Sequence, residues 1–198
     1  MKYHHGNLKE ELIVSACKVC EIDGHDQMSL RSIAKEASVS QTAPYRHFKT
    51  KDSLLAEVSK RGFEELTEKL QAASNAIKNS TKKDQFLEMG LAYIEFGLEK
   101  KNTYDLMFSP IINKTKYPEL HNAASGAFDE LVKILTELFP RISEDELGKK
   151  CIKFWAMMHG LVGLLDLDID PNLDTDASSA MSVVVRDLRS FLAESLEF

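Results

Sequence analysis

The sequence predicts an all-α protein of about nine helices, and three observations carry that expectation. Apolar residues recur every three to four positions in one segment after another, from Leu8 near one end to Leu196 near the other. Helix start and stop residues stand at the edges of those segments: Ser29 before Leu30, the capping box Ser143-Glu144-Asp145-Glu146, Gly24 after the first stripe, and Pro110 after Phe108. The third is length, since 198 residues can bury a sizeable core in one or two compact units.

The first predicted helix is capped by Asn7 and places Leu8, Leu12, Ile13, Ala16, Val19 and Cys20 on one stripe. Cys17 and Cys20 share this helix. A structural zinc site would need two more ligands at suitable spacing, and the only other cysteine, Cys151, is remote in sequence. Burial as small hydrophobes is therefore the expectation, and no metal is assigned.

Residues 29 to 48 hold the most specific pattern. Ser29 caps a short helix from Leu30, with Met28 and Ile33 placed as a hydrophobic staple. Leu30, Ile33, Ala34 and Ala37 share one face, and Arg31, Lys35 and Glu36 the other. Ser38-Val39 makes a tight connection with Val39 as an apolar plug, and Ser40 caps a second helix predicted over 41–48. That is the spacing of a helix-turn-helix. The second helix offers few large apolar side chains. Gln41 and Thr42 can read base edges, Ala43 can touch a thymine methyl, and Tyr45, Arg46 and His47 can reach phosphates, which suits a helix lying in the major groove of duplex DNA. The competing reading is a surface helix of an ordinary all-α core.

The run Tyr45-Arg46-His47-Phe48, followed by Lys49-Thr50-Lys51-Asp52-Ser53-Leu54-Leu55, resembles the DNA-binding domain of the TetR/AcrR family of bacterial transcriptional regulators. The likeness extends over about residues 5 to 60. It implies phosphate contacts from Tyr45 and His47, a core anchor in Phe48, and a backbone contact from Lys51 at a helix N-terminus. Tyr45, His47 and Lys51, with Ser29, Arg31, Ser40, Gln41, Thr42, Ala43 and Arg46, form the expected DNA-binding set of ten. The sequence departs from the family at Pro44, where a helix-compatible residue is more usual. The opening Tyr3-His4-His5-Gly6-Asn7 also resembles one branch of the family and is expected to form a short arm near the DNA backbone; a tag remnant or a metal-ligand pair are the other readings of the two histidines.

Charge is distributed to match a local nucleic-acid surface. The net charge is −6, yet residues 1–62 carry ten Lys/Arg and eight Asp/Glu, a balance of +2, and the remainder carries fifteen and twenty-three, a balance of −8. An acidic body with a mildly basic head does not coat polyanions indiscriminately. No apolar run follows Lys2 and none reaches eighteen residues, so neither secretion nor a membrane partner is expected and the cytoplasm is the expected compartment. The sequence has no Gly-rich phosphate loop, no nucleophile elbow and no metal-ligand pair on one helix face, so no enzyme, catalytic residue or cofactor is expected. Asp166, Asp168 and Asp170 alternate like the start of a calcium loop, but Pro171 stands where glycine is required and Ala177 where glutamate is, which leaves an acidic helix end.

A helix over 51–76, with Leu54, Leu55, Val58, Phe63, Leu66 and Leu70 on its apolar face, is expected to connect a head of residues 1–50 to a body of residues 82–198. The body begins with a helix from about Asp84 to Lys100 that is apolar most of the way round, followed by a short helix at Tyr104–Phe108 and a longer one from Glu119 to Phe139. Two more are predicted over 143–167 and 175–196. Gly160 and Gly163 on the first, and Ala177 and Ala180 on the second, permit close approach of another helix; with Val184 and Leu188 they form the expected interface of a C2 homodimer. Trp155, His159 and Gly160 in WAMMHG resemble the Trp-His-Gly motif of one TetR-type C-terminal class, mainly over residues 104 to 165. That likeness implies an effector cavity, whose expected lining is Phe96, Tyr104, Met107, Phe108, Phe128, Trp155 and His159. A lone histidine beside apolar residues is as readily a satisfied core group. The expected function is a ligand-responsive homodimeric repressor that binds a near-palindromic operator and is released by a small lipophilic or aromatic effector. The alternative is a DNA-binding protein of the same fold that answers to a protein partner or to no small molecule.

Overall fold

The computed structural model describes residues 8–167 and 176–197, without the side chains of 176–179 and 197. Among the described residues there are nine α-helices, four 3₁₀ turns and no strand, the all-α fold that the periodicity predicts. The helices are α1 (Leu8–Asp23), α2 (Leu30–Glu36), α3 (Lys51–Ala76), α4 (Lys82–Glu99), α5 (Lys101–Phe108), α6 (Pro118–Leu138), α7 (Glu144–Leu165), α8 (Asp176–Arg186) and α9 (Leu188–Glu194). No described helix is long and apolar enough to cross a membrane. Asn7, Asp168, Asp170 and Pro171, and with them the first helix cap and most of the acidic run, lie outside the described residues.

The chain divides into two compact units. One holds the described residues up to Glu65 together with Lys100–Ser125, and the other holds Leu66–Glu99 together with the described residues from Gly126 on. Residues 100–125, grouped with the body on sequence, thus pack in the first unit. Specific bonds explain this. The Asn102 side chain donates to the Glu21 carbonyl at 2.8 Å and Thr103 donates to the Glu21 carboxylate at 2.7 Å, which ties α5 to the end of α1. Gly62 permits the same packing on α3: a Cβ built there would lie 2.5 Å from Met107 Sδ and 2.9 Å from Thr103 Cγ2.

In the first unit Leu12, Ile33, Leu54, Phe63, Leu106 and Met107 are almost fully buried. Ser29 caps α2 as expected, its hydroxyl accepting from the Ser32 N–H at 3.0 Å, while the Ser32 hydroxyl oxygen accepts in return from the Ser29 N–H at 2.8 Å. The helix closes in a Schellman turn, with the Val39 N–H on the Ala34 carbonyl at 2.9 Å and the Ser38 N–H on the Lys35 carbonyl at 3.1 Å. Ser38 takes φ 55 to do so. A side chain in this left-handed region costs about 1 kcal/mol, so the connection is held by its two hydrogen bonds and not by local preference.

The segment after this turn differs from the expected α-helix over 41–48. Ser40 to Phe48 forms successive tight turns with a single 3₁₀ helix at Pro44–Arg46. The Ala43 N–H reaches Ser40, Arg46 reaches Ala43, and His47 reaches Pro44, all spanning three residues. Pro44 is the physical reason: it has no N–H to return to Ser40, so the α-type bond at that position is missing, and a four-residue span appears at the end of the run, where the Phe48 N–H meets the Pro44 carbonyl at 2.9 Å.

The second unit is built around α4, which packs on α7 and α9. Gly97 makes the first contact possible, since a Cβ there would fall 2.6 Å from a Val162 methyl, and Gly90 does so for Met158 and Leu192 at 3.1 Å each. Ser143 and Glu146 form the expected capping box at the start of α7. The single helix expected over 175–196 is instead broken at Asp187, whose carboxylate accepts from the Ser190 N–H at 2.9 Å and the Ser190 hydroxyl at 2.7 Å and so caps α9.

Candidate nucleic-acid interface

Tight turns sort the side chains of 40–48 into two sets. Ala43 (8% exposed), Pro44 and Phe48 (2% exposed) point inward. Ser40, Gln41, Thr42, Tyr45, Arg46 and His47 are exposed. Ser29 and Arg31, at the start of α2, are exposed as well. Eight of the ten expected DNA-binding residues are therefore presented to solvent on one short stretch of the first unit. Ala43 is not; its methyl packs beneath the turn, which favours an anchoring role over contact with a thymine.

Lys51 is half-buried and opens α3, as expected. Its ammonium donates to the Asp26 carbonyl at 3.1 Å, so it also ties the loop before α2 to the head of α3. Thr50 caps that helix, accepting from the Ser53 N–H at 3.1 Å, with the Ser53 hydroxyl oxygen accepting from the Thr50 N–H at 3.3 Å. This reciprocal cap was not anticipated from the sequence, although Thr-x-x-Ser before an apolar run is a recognisable signal.

The electrostatics are local. Between residues 29 and 51 the chain carries Arg31, Lys35, Arg46, Lys49 and Lys51 against Glu36 alone, five cations and one anion, or +4 in a protein of net −6. Glu36 is itself paired with Lys18 at 2.6 Å. An exposed, basic, hydrogen-bonding stretch on a packed scaffold can engage phosphates and base edges together.

The residues expected to line an effector cavity fall into two groups. Tyr104, Met107 and Phe108 belong to the first unit, where Phe108 packs edge-on against Phe63 with centroids 5.3 Å apart and Tyr104 lies 4.7 Å from Phe108. Phe96, Phe128, Trp155 and His159 belong to the second. There Trp155 is the hub, with ring centroids 5.3 Å from Phe128, 5.3 Å from His159 and 5.6 Å from Tyr93. Tyr93 joins this cluster unexpectedly. Its hydroxyl lies 3.3 Å from both ring nitrogens of His159, and only its position in an apolar stripe marked it in the sequence. Beside Trp155 lies a wholly apolar chamber of about 30 Å³, bordered by Phe86, Met89, Tyr93 and Met158.

Burial pulls the His159 imidazole down to about 4 from its ordinary 6.5. The unfolded chain then binds more protons than the folded one between those values, so His159 makes stability fall as pH drops through that window. His159→Phe is expected to flatten this part of the profile when urea unfolding is compared at pH 7 and pH 5. Identical slopes in the two proteins would show that the imidazole is not held neutral.

Gly160, Gly163 and Ala180 are exposed, Val184 and Leu188 half-buried, and the Ala177 side chain lies outside the description. A Cβ added at Gly148, Gly160 or Gly163 would meet nothing within 4 Å. Ile152 (61%), Leu164 (47%), Val183 (62%) and Val185 (62%) are also exposed. Sequence reasoning missed these four, yet Gly148, Ile152, Ala156, Gly160 and Gly163 recur at helical spacing on α7, and that spacing is present in the sequence. Among the described residues no cluster of His, Cys, Asp and Glu could hold a metal. Burial raises the Cys17 and Cys20 thiols to about 11 and about 12, which makes both poor nucleophiles.

Comparisons agree with this arrangement at both ends of the chain. Residues 12–58 match the family model described as bacterial regulatory proteins, tetR family, and residues 86–188 match the model described as Tetracyclin repressor-like, C-terminal domain. The second match does not bear on the Trp-His-Gly subclass. Among solved structures, a protein of unknown function from Rhodococcus sp. RHA1 is 27% identical with a TM-score of 0.73, covering 98% of this chain and 99% of its own. PfmR, a TetR family transcriptional regulator from Thermus thermophilus, is 16% identical with a TM-score of 0.61, covering 92% and 97%. A bacterial regulatory protein in the tetR family from Rhodococcus RHA1 is 13% identical with a TM-score of 0.64, covering 94% and 95%. A comparison with curated proteins finds no match. An exposed basic reading turn in the first unit, with matched family models at both ends of the chain, identifies this protein as a member of the TetR family of transcriptional regulators, a DNA-binding helix-turn-helix protein and not an enzyme.

Proposed function

We propose that the protein is a cytoplasmic repressor that binds a near-palindromic operator as a homodimer and is released by a small lipophilic or aromatic effector. The observation that carries DNA reading is the division of residues 40–48, with Ala43, Pro44 and Phe48 anchored inward and Gln41, Thr42, Tyr45, Arg46 and His47 outward. A single turn of this size reads few base pairs. Two of them, about 34–36 Å apart on one face of the duplex, would read a two-fold operator. The outward faces of α7 and α8 supply the dimer surface in this proposal.

The effector site is proposed at the Trp155 cluster of the second unit, where Met89 and Met158 can repack and Tyr93 with His159 offers polar contacts. A chamber of about 30 Å³ is smaller than drug-sized ligands need, roughly 300 Å³ or more, so an effector would have to open it. The same small volume supports the alternative, a regulator of this fold that answers to a protein partner or to no small molecule. A thermal-shift panel of lipophilic compounds separates the two: a ligand-responsive protein gains melting temperature with at least one compound, and Trp155→Ala loses that gain.

DNA reading is tested after the operator has been selected from a random duplex pool. Gln41→Ala is expected to relax base preference at one or two positions with little loss on non-specific DNA. Lys51→Ala should weaken all sequences and reduce the salt slope by about one unit. Wild-type behaviour of both variants at physiological salt would refute the assignment.

A further inference from the structure

We propose that the first unit carries a second ligand site, for a small organic monoanion with a flat apolar body, in the groove between the first turns of α3 and residues 116–120. Every residue that borders this groove lies in the first unit. Its volume is about 430 Å³, within the range of small-molecule sites and more than ten times that of the chamber beside Trp155. The floor is apolar and buried: Phe48, Ala56 and Leu120 are 2%, 4% and 1% exposed, and Tyr117 and Pro118 form a wall.

The rim selects the charge. Lys9, Lys60 and Lys116 border the groove, but Lys9 is committed to Glu57 at 2.9 Å and Lys60 to Glu64 at 3.0 Å. Lys116 makes no ion pair among the described residues, and its backbone is held by a 3₁₀ turn capped by Asn113, which accepts from the Thr115 N–H at 3.1 Å. Glu57 and Glu119 border the groove as well, and their charge disfavours a dianionic phosphate or a nucleic-acid backbone. One uncommitted ammonium over an apolar floor fits a carboxylate on an aromatic or short aliphatic frame.

His47 and Phe48 border the same groove and belong to the reading turn. An anion seated there places negative charge beside residues proposed to approach phosphate, so ligand and DNA oppose each other. This coupling rests on the proposed DNA reading; binding to the groove does not.

The probe is 4-fluorobenzoate, titrated into the full-length protein without DNA and followed by fluorine NMR, with 4-fluorobenzamide as the uncharged control. The benzoate is expected to bind, and the amide to bind about tenfold more weakly or worse. Lys116→Glu, at an exposed position, should weaken the benzoate about tenfold or more. Trp155→Phe, in the other unit, should leave it unchanged. Absence of benzoate binding, equal binding of the amide, or full binding by Lys116→Glu overturns the site, and loss in Trp155→Phe transfers the ligand to the aromatic chamber and overturns it too. Adding selected operator duplex should then weaken the benzoate by the factor with which benzoate weakens the duplex. Retained binding with no such antagonism overturns the coupling alone and leaves the groove assigned.

Discussion

Phe48→Ala is expected to cost about 3–5 kcal/mol of stability and to abolish operator binding, because one ring seats the whole reading turn. Phe48 is 2% exposed, and its N–H closes on the Pro44 carbonyl at 2.9 Å, so the ring and the backbone bond hold the same corner. Truncation leaves a cavity beneath a segment that has no regular helix to preserve its shape. Urea unfolding gives the stability change, and fluorescence anisotropy with labelled duplex gives the affinity. Tyr45→Ala is the control. Tyr45 is 53% exposed, so its loss should change stability by no more than about 0.5 kcal/mol while weakening DNA binding. Should Phe48→Ala unfold within about 1 kcal/mol of the wild type and bind DNA normally, the anchor has been misassigned.

Ile152→Glu combined with Leu164→Glu is expected to give a folded monomer whose operator affinity is about 10²- to 10⁴-fold lower. Both side chains lie on the outward face of α7, 61% and 47% exposed, on the same face as glycines with open space around them. A face on which large apolar side chains alternate with positions lacking side chains suits close contact with a second helix, and contiguous apolar surface of this kind marks partner sites. Two carboxylates there would meet their symmetry mates. The fold itself should persist, since neither side chain is part of the core, and a retained helical circular dichroism spectrum would show it. Light scattering at micromolar concentration reads the assembly state and a duplex titration reads the lost avidity. A wild-type protein that scatters as a monomer with and without DNA, or a doubly substituted protein that still dimerises, removes α7 from the proposed interface.

What the sequence determined by itself was whatever depends on neighbours along the chain. Caps, stripes and helix starts follow from bonds and contacts within three or four residues, so Ser29, Gly24, the Ser143-Glu146 box and the start of α3 at Lys51 were legible before any packing was known. The first helix of the helix-turn-helix and the tight connection after it were legible for the same reason, since the cap at Ser29 and the turn at Ser38-Val39 are local. Where local chemistry conflicted with the pattern, as at Pro44, the lost N–H prevailed and the expected helix became a series of turns.

Only the tertiary structure decided what each apolar face meets. Gly160 is a site of close approach by its helical spacing and Gly97 carries no such mark, yet Gly97 receives Val162 within the unit while a Cβ at Gly160 would meet nothing within 4 Å. Ala43 and Gln41 sit two residues apart in one polar run, and the fold buries one and presents the other. Tyr93 came to His159 across 66 positions, and the aromatic residues expected to share one cavity were divided between two units because Asn102 and Thr103 bind α5 to α1. A stripe specifies that a face must leave water, whereas the partner that covers it is set by shape and hydrogen bonding between segments far apart in the chain.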